Sequence, residues 1–274
     1  MNNEMNTQEE EQLSIEVKNV KKVYRIYKDK GSQLREKILF FRRNSYNEHV
    51  VLDGVSLNVK KGEAIGLIGV NGCGKSTLLK MMTRIIYPNS GTVTTRGRIS
   101  GLIELGAGFH PDMTGRENIY INASIYGLSK AEIDARVEDI IEFSGIRDAI
   151  DTPVRTYSSG MYMRLGFSVA INVDADILLV DEILAVGDAA FQAKCFEALT
   201  SMKARGTTIV IVSHSLGQIE AICDRTYWIE NGKIKMSGEP KRVHAAYENQ
   251  VFGTPIPPEL EMPAHDKNGE PLAE

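Results

Sequence analysis

The chain has 274 residues, 42% hydrophobic and 25% charged, with a formal net charge of -4. That length holds one large α/β domain or two small ones around a buried core, and the charge balance gives no reason to expect a nucleic-acid partner. Cys73, Cys195 and Cys223 stand far apart, outside any CxxC or Cys/His cluster, so they read as reduced cytosolic thiols rather than a disulfide frame or a zinc site.

Residues 1–12 are polar, with Glu9, Glu10 and Glu11 in a row, and read as a disordered tail without a secretory signal. Nowhere is there an apolar run of the ~18 residues that a membrane helix needs. Alternating apolar residues predict strands over residues 17–24 and 51–59, with an insertion over 25–48 between them. Ala64 to Ile68 is a short apolar run, expected of a strand buried on both faces of a parallel sheet. A Gly-rich turn follows, then helical spacing over residues 76–86. Residues 115–172 read as mostly helical, with Ile133, Val137, Ile140 and Ile141 on one face. Buried strands are expected at 177–180 and 208–212, with helix between them. Tyr227 to Ile229, Asn231-Gly232 and Lys233 to Met236 predict a hairpin with an Asn-Gly turn. From Gly253 onward the chain carries five of its nine prolines and is expected to be extended or disordered. Strands alternating with helices give an α/β fold with a mostly parallel core sheet.

Gly69-Val70-Asn71-Gly72-Cys73-Gly74-Lys75-Ser76-Thr77 fits GxxxxGK[ST]. The glycines let successive backbone N–H groups turn inward around a phosphate, and the helix beginning near Lys75 aims its positive end the same way. Lys75 would reach the β- and γ-phosphates, and the Ser76 hydroxyl would bind Mg²⁺. The motif follows a buried strand and opens a helix, which is the context this chemistry needs.

Ile177-Leu178-Leu179-Val180-Asp181-Glu182 is an apolar strand ending in two acids, at the carboxyl edge of the sheet where ligands bind. Asp181 would support Mg²⁺, and Glu182 would act as general base toward the attacking water. The next buried strand ends in Ser213-His214, which places His214 near a γ-phosphate. Tyr157-Ser158-Ser159-Gly160-Met161 precedes an apolar helical stretch, where small residues leave N–H groups and hydroxyls for an anion.

Taken together, these pieces resemble the nucleotide-binding domain of ABC transporters. The order matches over about residues 14–250: phosphate loop, helical insert, signature before a helix, acidic strand end, switch histidine. The resemblance implies a P-loop NTPase of ABC type, with an antiparallel β subdomain and a helical subdomain at about 112–172 inside a domain of 13–251. Residues 253–274 would be a Pro-rich tail or a truncated linker. It implies ATP and Mg²⁺ as ligands. Ser158 and Gly160 fall on the Ser and second Gly of the family's LSGGQ signature, with Ser159 between them. Asp188 falls on the D-loop aspartate, and Tyr24 matches the aromatic that stacks on adenine. Glu104 stands where the family's Q-loop has glutamine, still able to support Mg²⁺ or water but with an added negative charge. Two such domains pack head to tail in the family, so a homodimer joined to a separate transmembrane permease is implied, at the cytoplasmic face of the membrane.

Ile103-Glu104-Leu105-Gly106, Gly108-Phe109-His110-Pro111, Thr114-Gly115-Arg116-Glu117-Asn118 and Leu184-Ala185-Val186-Gly187-Asp188 resemble the polysaccharide-export branch. That branch implies a lipid-linked glycan as cargo: O-antigen, capsule or teichoic acid. The alternatives are an ABC transporter of another cargo and a soluble ABC ATPase. Residues 18–43 carry ten Lys/Arg against Asp29 and Glu36. Such a basic amphipathic arm, with Leu34, Ile38 and Phe41 on one side, suits an anionic lipid surface or head group.

Overall fold

The computed structural model describes residues 13–27, 46–103, 105–181 and 187–260. The expectations for the tail at 1–12, the basic arm at 32–43 and the chain beyond residue 260 lie outside those residues.

Leu13–Tyr27 (β1) and Tyr46–Lys60 (β2) pair antiparallel along their whole length. Both strands run further than apolar alternation indicated, because their outer ends are paired but exposed. The insertion at 25–48 is accordingly narrower than expected, since 25–27 and 46–48 belong to strands. Ala64–Ile68 (β3) is buried at every residue. Lys75–Met82 (α1) follows the Gly-rich turn and stops short of the expected Ile86. The reason is local. Thr83 returns its hydroxyl to the Lys80 carbonyl at 3.1 Å, and Arg84 turns left-handed at φ 61. The Arg84 guanidinium then fixes that turn on Thr95, at 3.0 Å to its carbonyl and 3.1 Å to its hydroxyl.

Ser90–Thr95 (β4) adds to the free side of β1, and Ile99–Leu102 (β5) opens the main sheet. Neither strand was expected. β4 is mostly exposed, and β5 spans only four residues, so neither carries a buried apolar run.

Gly115–Ile125 (α2), Lys130–Asp134 (α3), Val137–Ser144 (α4) and Ser159–Ile171 (α5) form the helical part. Reciprocal capping boxes start α2 (Thr114 with Glu117) and α3 (Ser129 with Glu132). Ile133, Val137, Ile140 and Ile141 are all buried together, but the helix breaks at Arg136 rather than running through. The Arg136 side chain bonds the Glu132 carbonyl at 3.1 Å and pairs with Asp174.

Ile177–Asp181 (β6), Ala189–Ala204 (α6), Thr208–Val212 (β7) and Leu216–Ile222 (α7) follow. Arg225–Glu230 (β8), Lys233–Gly238 (β9) and Pro240–Phe252 (α8) complete the fold, with a short 3₁₀ turn at Pro258–Leu260 inside the stretch expected to be irregular. The Asn231-Gly232 turn has φ 49 and φ 73, the paired left-handed values of a type I′ hairpin.

Among the described residues the main sheet has the order β5-β6-β7-β3-β8-β9, parallel except for β9. Alternate residues of its central strands feed two cores. Ile68, Leu178, Val180, Ile209 and Ile211 face Phe167 of α5 with Phe191, Cys195 and Leu199 of α6. Ile65, Leu67, Leu179, Val210 and Val212 face Leu78, Leu79 and Met82 of α1 and the inner side of β1 and β2. A third core joins α2, α3, α4 and α5. This is an α/β fold with a mostly parallel core, a separate antiparallel sheet and a helical part. Among the described residues no helix is long and apolar enough to cross a membrane.

Candidate functional site

Register brings the candidate residues to one sheet edge. Val212 of β7 lies beside Asp181 of β6 on one side and Leu67 of β3 on the other. The carboxyl ends of three neighbouring parallel strands therefore open at one level, where such folds bind ligands. β3 continues into Gly69 and the loop, β6 ends on Asp181, and β7 continues into Ser213 and His214.

The loop is shaped by its glycines. Gly69, Gly72 and Gly74 have φ 144, 80 and 110, backbone that side-chain-bearing residues rarely adopt. At two of them a Cβ has no room. At Gly69 it would stand 2.2 Å from the Ile229 carbonyl and 2.8 Å from Cys73 Sγ. At Gly74 it would stand 2.5 Å from Leu52 Cδ2. Val70 and Asn71 are exposed between these anchors, and Cys73 N–H closes the turn on the Val70 carbonyl at 3.3 Å. Cys73 is buried, and that burial raises its thiol pKa against the lowering effect of Lys75.

Lys75 is 5% exposed, an unusual depth for an ammonium. Its Nζ donates to the Gly69 carbonyl at 2.7 Å and the Val70 carbonyl at 3.2 Å, so it lies curled inside the loop. One residue on, Ser76 Oγ donates to Asp181 Oδ1 at 3.2 Å across 105 residues of chain. A hydroxyl and a carboxylate so close form a hard oxygen donor set, which suits Mg²⁺. Thr77 follows in the first turn of α1.

His214 is exposed just past β7, and its backbone neighbours are fixed by Ser213, whose hydroxyl accepts from Ser215 N–H at 3.0 Å. Tyr24 is 41% exposed on β1, with the Lys22 ammonium 5.2 Å from its ring centre. Lys22 pairs with Leu52, the residue that touches Gly74, so Tyr24 stands two positions along the strand from the loop's wall. Glu104, Glu182 and residues 184–186 lie outside the described residues.

The signature residues lie elsewhere. Ser158 caps α5, its side chain accepting from Met161 N–H at 3.2 Å, with Ser159 and Gly160 in the first turn. Ser158 and Ser159 border a depression of about 420 Å³ walled by Pro111, Arg155, Tyr157 and Tyr162, and none of Gly69 to Thr77 lines it. Asp188 caps α6, accepting from Phe191 N–H at 2.9 Å and from Arg164 Nη2 at 2.6 Å. The Phe191 amide first, then the Arg164 charge, hold its carboxyl below the usual range.

Sequence reasoning missed Arg164, which links the signature helix to Asp188 and also lies 5.1 Å over the Phe191 ring. It missed Tyr162 as well. Both act across long sequence separations, where spacing gives no signal.

A family model described as "ABC transporter" matches residues 52–185. The chain is 46% identical over 242 residues to "O-antigen export system ATP-binding protein RfbB" of Klebsiella pneumoniae, covering 86% of this chain and 98% of that protein. It is 47% identical over 234 residues to "Teichoic acids export ATP-binding protein TagH" of Levilactobacillus brevis, covering 85% of this chain and 64% of that protein. In fold it is similar to the dimeric ATP-binding cassette MJ0796 bound to ADP and Pi, with TM-score 0.66, 20% identity, and coverage of 82% of this chain and 98% of that one.

Proposed function

The chain belongs to the ABC transporter family, and from that premise we propose that it is the ATP-hydrolysing subunit of a polysaccharide exporter. The observation that carries the ATPase reading is the Ser76–Asp181 bond of 3.2 Å beneath a loop that buries Lys75. It brings a hydroxyl and a carboxylate 105 residues apart in sequence to hydrogen-bond distance, which supports reading them as two parts of one nucleotide–metal site. The kinship to O-antigen and teichoic acid export proteins supports the cargo class.

In this reading the loop from Gly69 to Gly74 wraps the phosphates with backbone N–H groups, and Lys75 moves from the loop carbonyls to phosphate oxygens. Ser76 and Asp181 hold Mg²⁺, which supplies charge neutralisation when bound. Thr77 adds a donor at the helix start. Glu182 takes the proton of the attacking water, and His214 contacts the γ-phosphate. Tyr24 stacks on the adenine, and Glu104 would support the metal or water. Ser158, Ser159, Gly160 and Asp188 serve a nucleotide held by a second copy of the chain. The position of Ser158 and Ser159 at a depression that none of Gly69 to Thr77 lines supports that division of labour, because one copy then contributes half of each of two sites. The domain spans 13–251, with its helical subdomain at about 112–172.

The subunit works at the cytoplasmic face of the membrane, against a separate permease, and the cargo is a lipid-linked glycan. Closure of the dimer on ATP and reopening after hydrolysis drive the permease. The test uses Glu182→Gln. ATP should convert this variant to a stable dimer by size-exclusion chromatography, with hydrolysis lost. A variant that stays monomeric with ATP and still hydrolyses it would remove Glu182 and the dimer from the account.

A further inference from the structure

Gly166 sits in the middle of α5, where glycine weakens a helix. Its reason is a close approach: a Cβ there would stand 2.8 Å from the Gly106 nitrogen. Gly106 is tight from the other side too. It has φ 75, and a Cβ would meet the Tyr162 ring at 2.3 Å. Tyr162 then donates its hydroxyl to the Gly106 carbonyl at 2.9 Å and packs edge-on against Phe109, with ring centres 5.0 Å apart. Helix α2 grips the same loop, since Asn122 Nδ2 donates to the Ala107 carbonyl at 2.8 Å. Further along α5, Ser100 of β5 donates to the Ala170 carbonyl at 2.9 Å. The loop at 105–109 is thus fastened to α5 and α2 as it leaves the β5 edge of the main sheet.

We propose that Tyr162 is a positioning residue that locks the 105–109 loop to the helix presenting Ser158 to Gly160. Phe109 N–H already satisfies the Gly106 carbonyl at 2.9 Å, so the phenol adds rigidity rather than rescuing an unpaired group. A phenylalanine would fill the same space against Phe109. What the hydroxyl adds is a fixed angle between loop and helix. Tyr162 also walls the depression that Ser158 and Ser159 border. Loop and signature therefore travel as one body, and the signature meets the nucleotide in one orientation. This rests on the reading above, in which that signature completes the site of a second copy.

Tyr162→Phe in the full chain tests it. Hydrolysis is measured over a range of ATP concentrations, together with affinity for a fluorescent ATP analogue and Tm. The loss of one orienting hydrogen bond should cut kcat about three- to tenfold, while affinity and Tm stay at wild-type values. Initial binding belongs to the chain's own phosphate loop, and the signature is needed only in the closed dimer. Unchanged kcat in Tyr162→Phe overturns the proposal. A kcat loss matched by equal losses in affinity and Tm also overturns it, because that pattern is a folding defect. A wild-type chain that hydrolyses ATP without dimerising would sink the two-copy reading, independently of the Tyr162 result.

Discussion

Lys75→Ala removes an ammonium that the structure ties to the Gly69 and Val70 carbonyls at 2.7 and 3.2 Å. A hydrogen bond to a charged group contributes about 1.5–3 kcal/mol. Binding a triphosphate trades these carbonyl partners for phosphate oxygens, so the net gain per bond is less than the gross value. Two phosphate contacts at about 1 kcal/mol net each give ~2 kcal/mol, or roughly 30-fold in affinity. The variant also leaves the buried Gly69 carbonyl without its donor, at a cost of about 1–2 kcal/mol. For a chain of this size that lowers Tm by about 2–8 °C. Affinity is read with a fluorescent ATP analogue in Mg²⁺ buffer. Trp228, the single tryptophan, is paired in register with Ile68 at the loop's root and reports folding in the same sample. The reasoning fails if Kd for the analogue stays within about threefold of wild type while Tm falls as expected. Lys75 would then be a structural cation of the loop and not a phosphate ligand.

Other perturbations follow from the same geometry. Asp181→Asn removes the carboxylate that accepts from Ser76, so hydrolysis should require a higher Mg²⁺ concentration, read as a rightward shift of the Mg²⁺ activation curve. Gly74→Ala forces a Cβ to 2.5 Å from Leu52 at φ 110, and should lower both Tm and nucleotide affinity; unaltered affinity would show that the loop tolerates displacement. Asn118 is fully buried and holds the turn before α2 by accepting from His110 N–H at 2.6 Å and donating to the Thr114 carbonyl at 2.9 Å. Asn118→Ala should cost about 2–3 kcal/mol in denaturant unfolding.

His244 gives a pH prediction. It is buried on α8, with Nδ1 2.8 Å from Glu220 of α7 and Nε2 3.3 Å from Thr226 of β8. Burial holds its pKa below the ordinary 6.5, against the pull of Glu220 and Glu248. The unfolded chain therefore takes up the proton first as pH falls. Stability from this group is complete above pH 6.5 and declines between that value and the lowered folded pKa. His244→Gln should flatten the acid-side fall in Tm; an unchanged slope would assign the fall to other groups.

What the sequence revealed and what it hid have physical reasons. The phosphate loop is contiguous, so its glycines and Lys75 could be read directly. β3, β6 and β7 are apolar throughout because both faces are covered, and that pattern survives in sequence. β4 and β5 carry no such run, since one is an exposed edge and the other is short. The end of α1 at Met82 was hidden because Ile85 and Ile86 keep the helical spacing, while the stop comes from Arg84 reaching Thr95 in another strand. The ties of Arg164 to Asp188 and of Tyr162 to Gly106 join residues 24 and 56 apart. Only the packing of α5 against its neighbours brings those pairs together.

The central claim is that this ATPase drives export of a lipid-linked polysaccharide. It is tested most directly by mass spectrometry of lipid-linked glycans in native cells expressing Glu182→Gln as a dominant block. The account predicts that a polyprenyl-linked polysaccharide accumulates in the cytosolic leaflet. No accumulation, with the variant still dimerised by ATP and bound at the membrane, would contradict the cargo assignment.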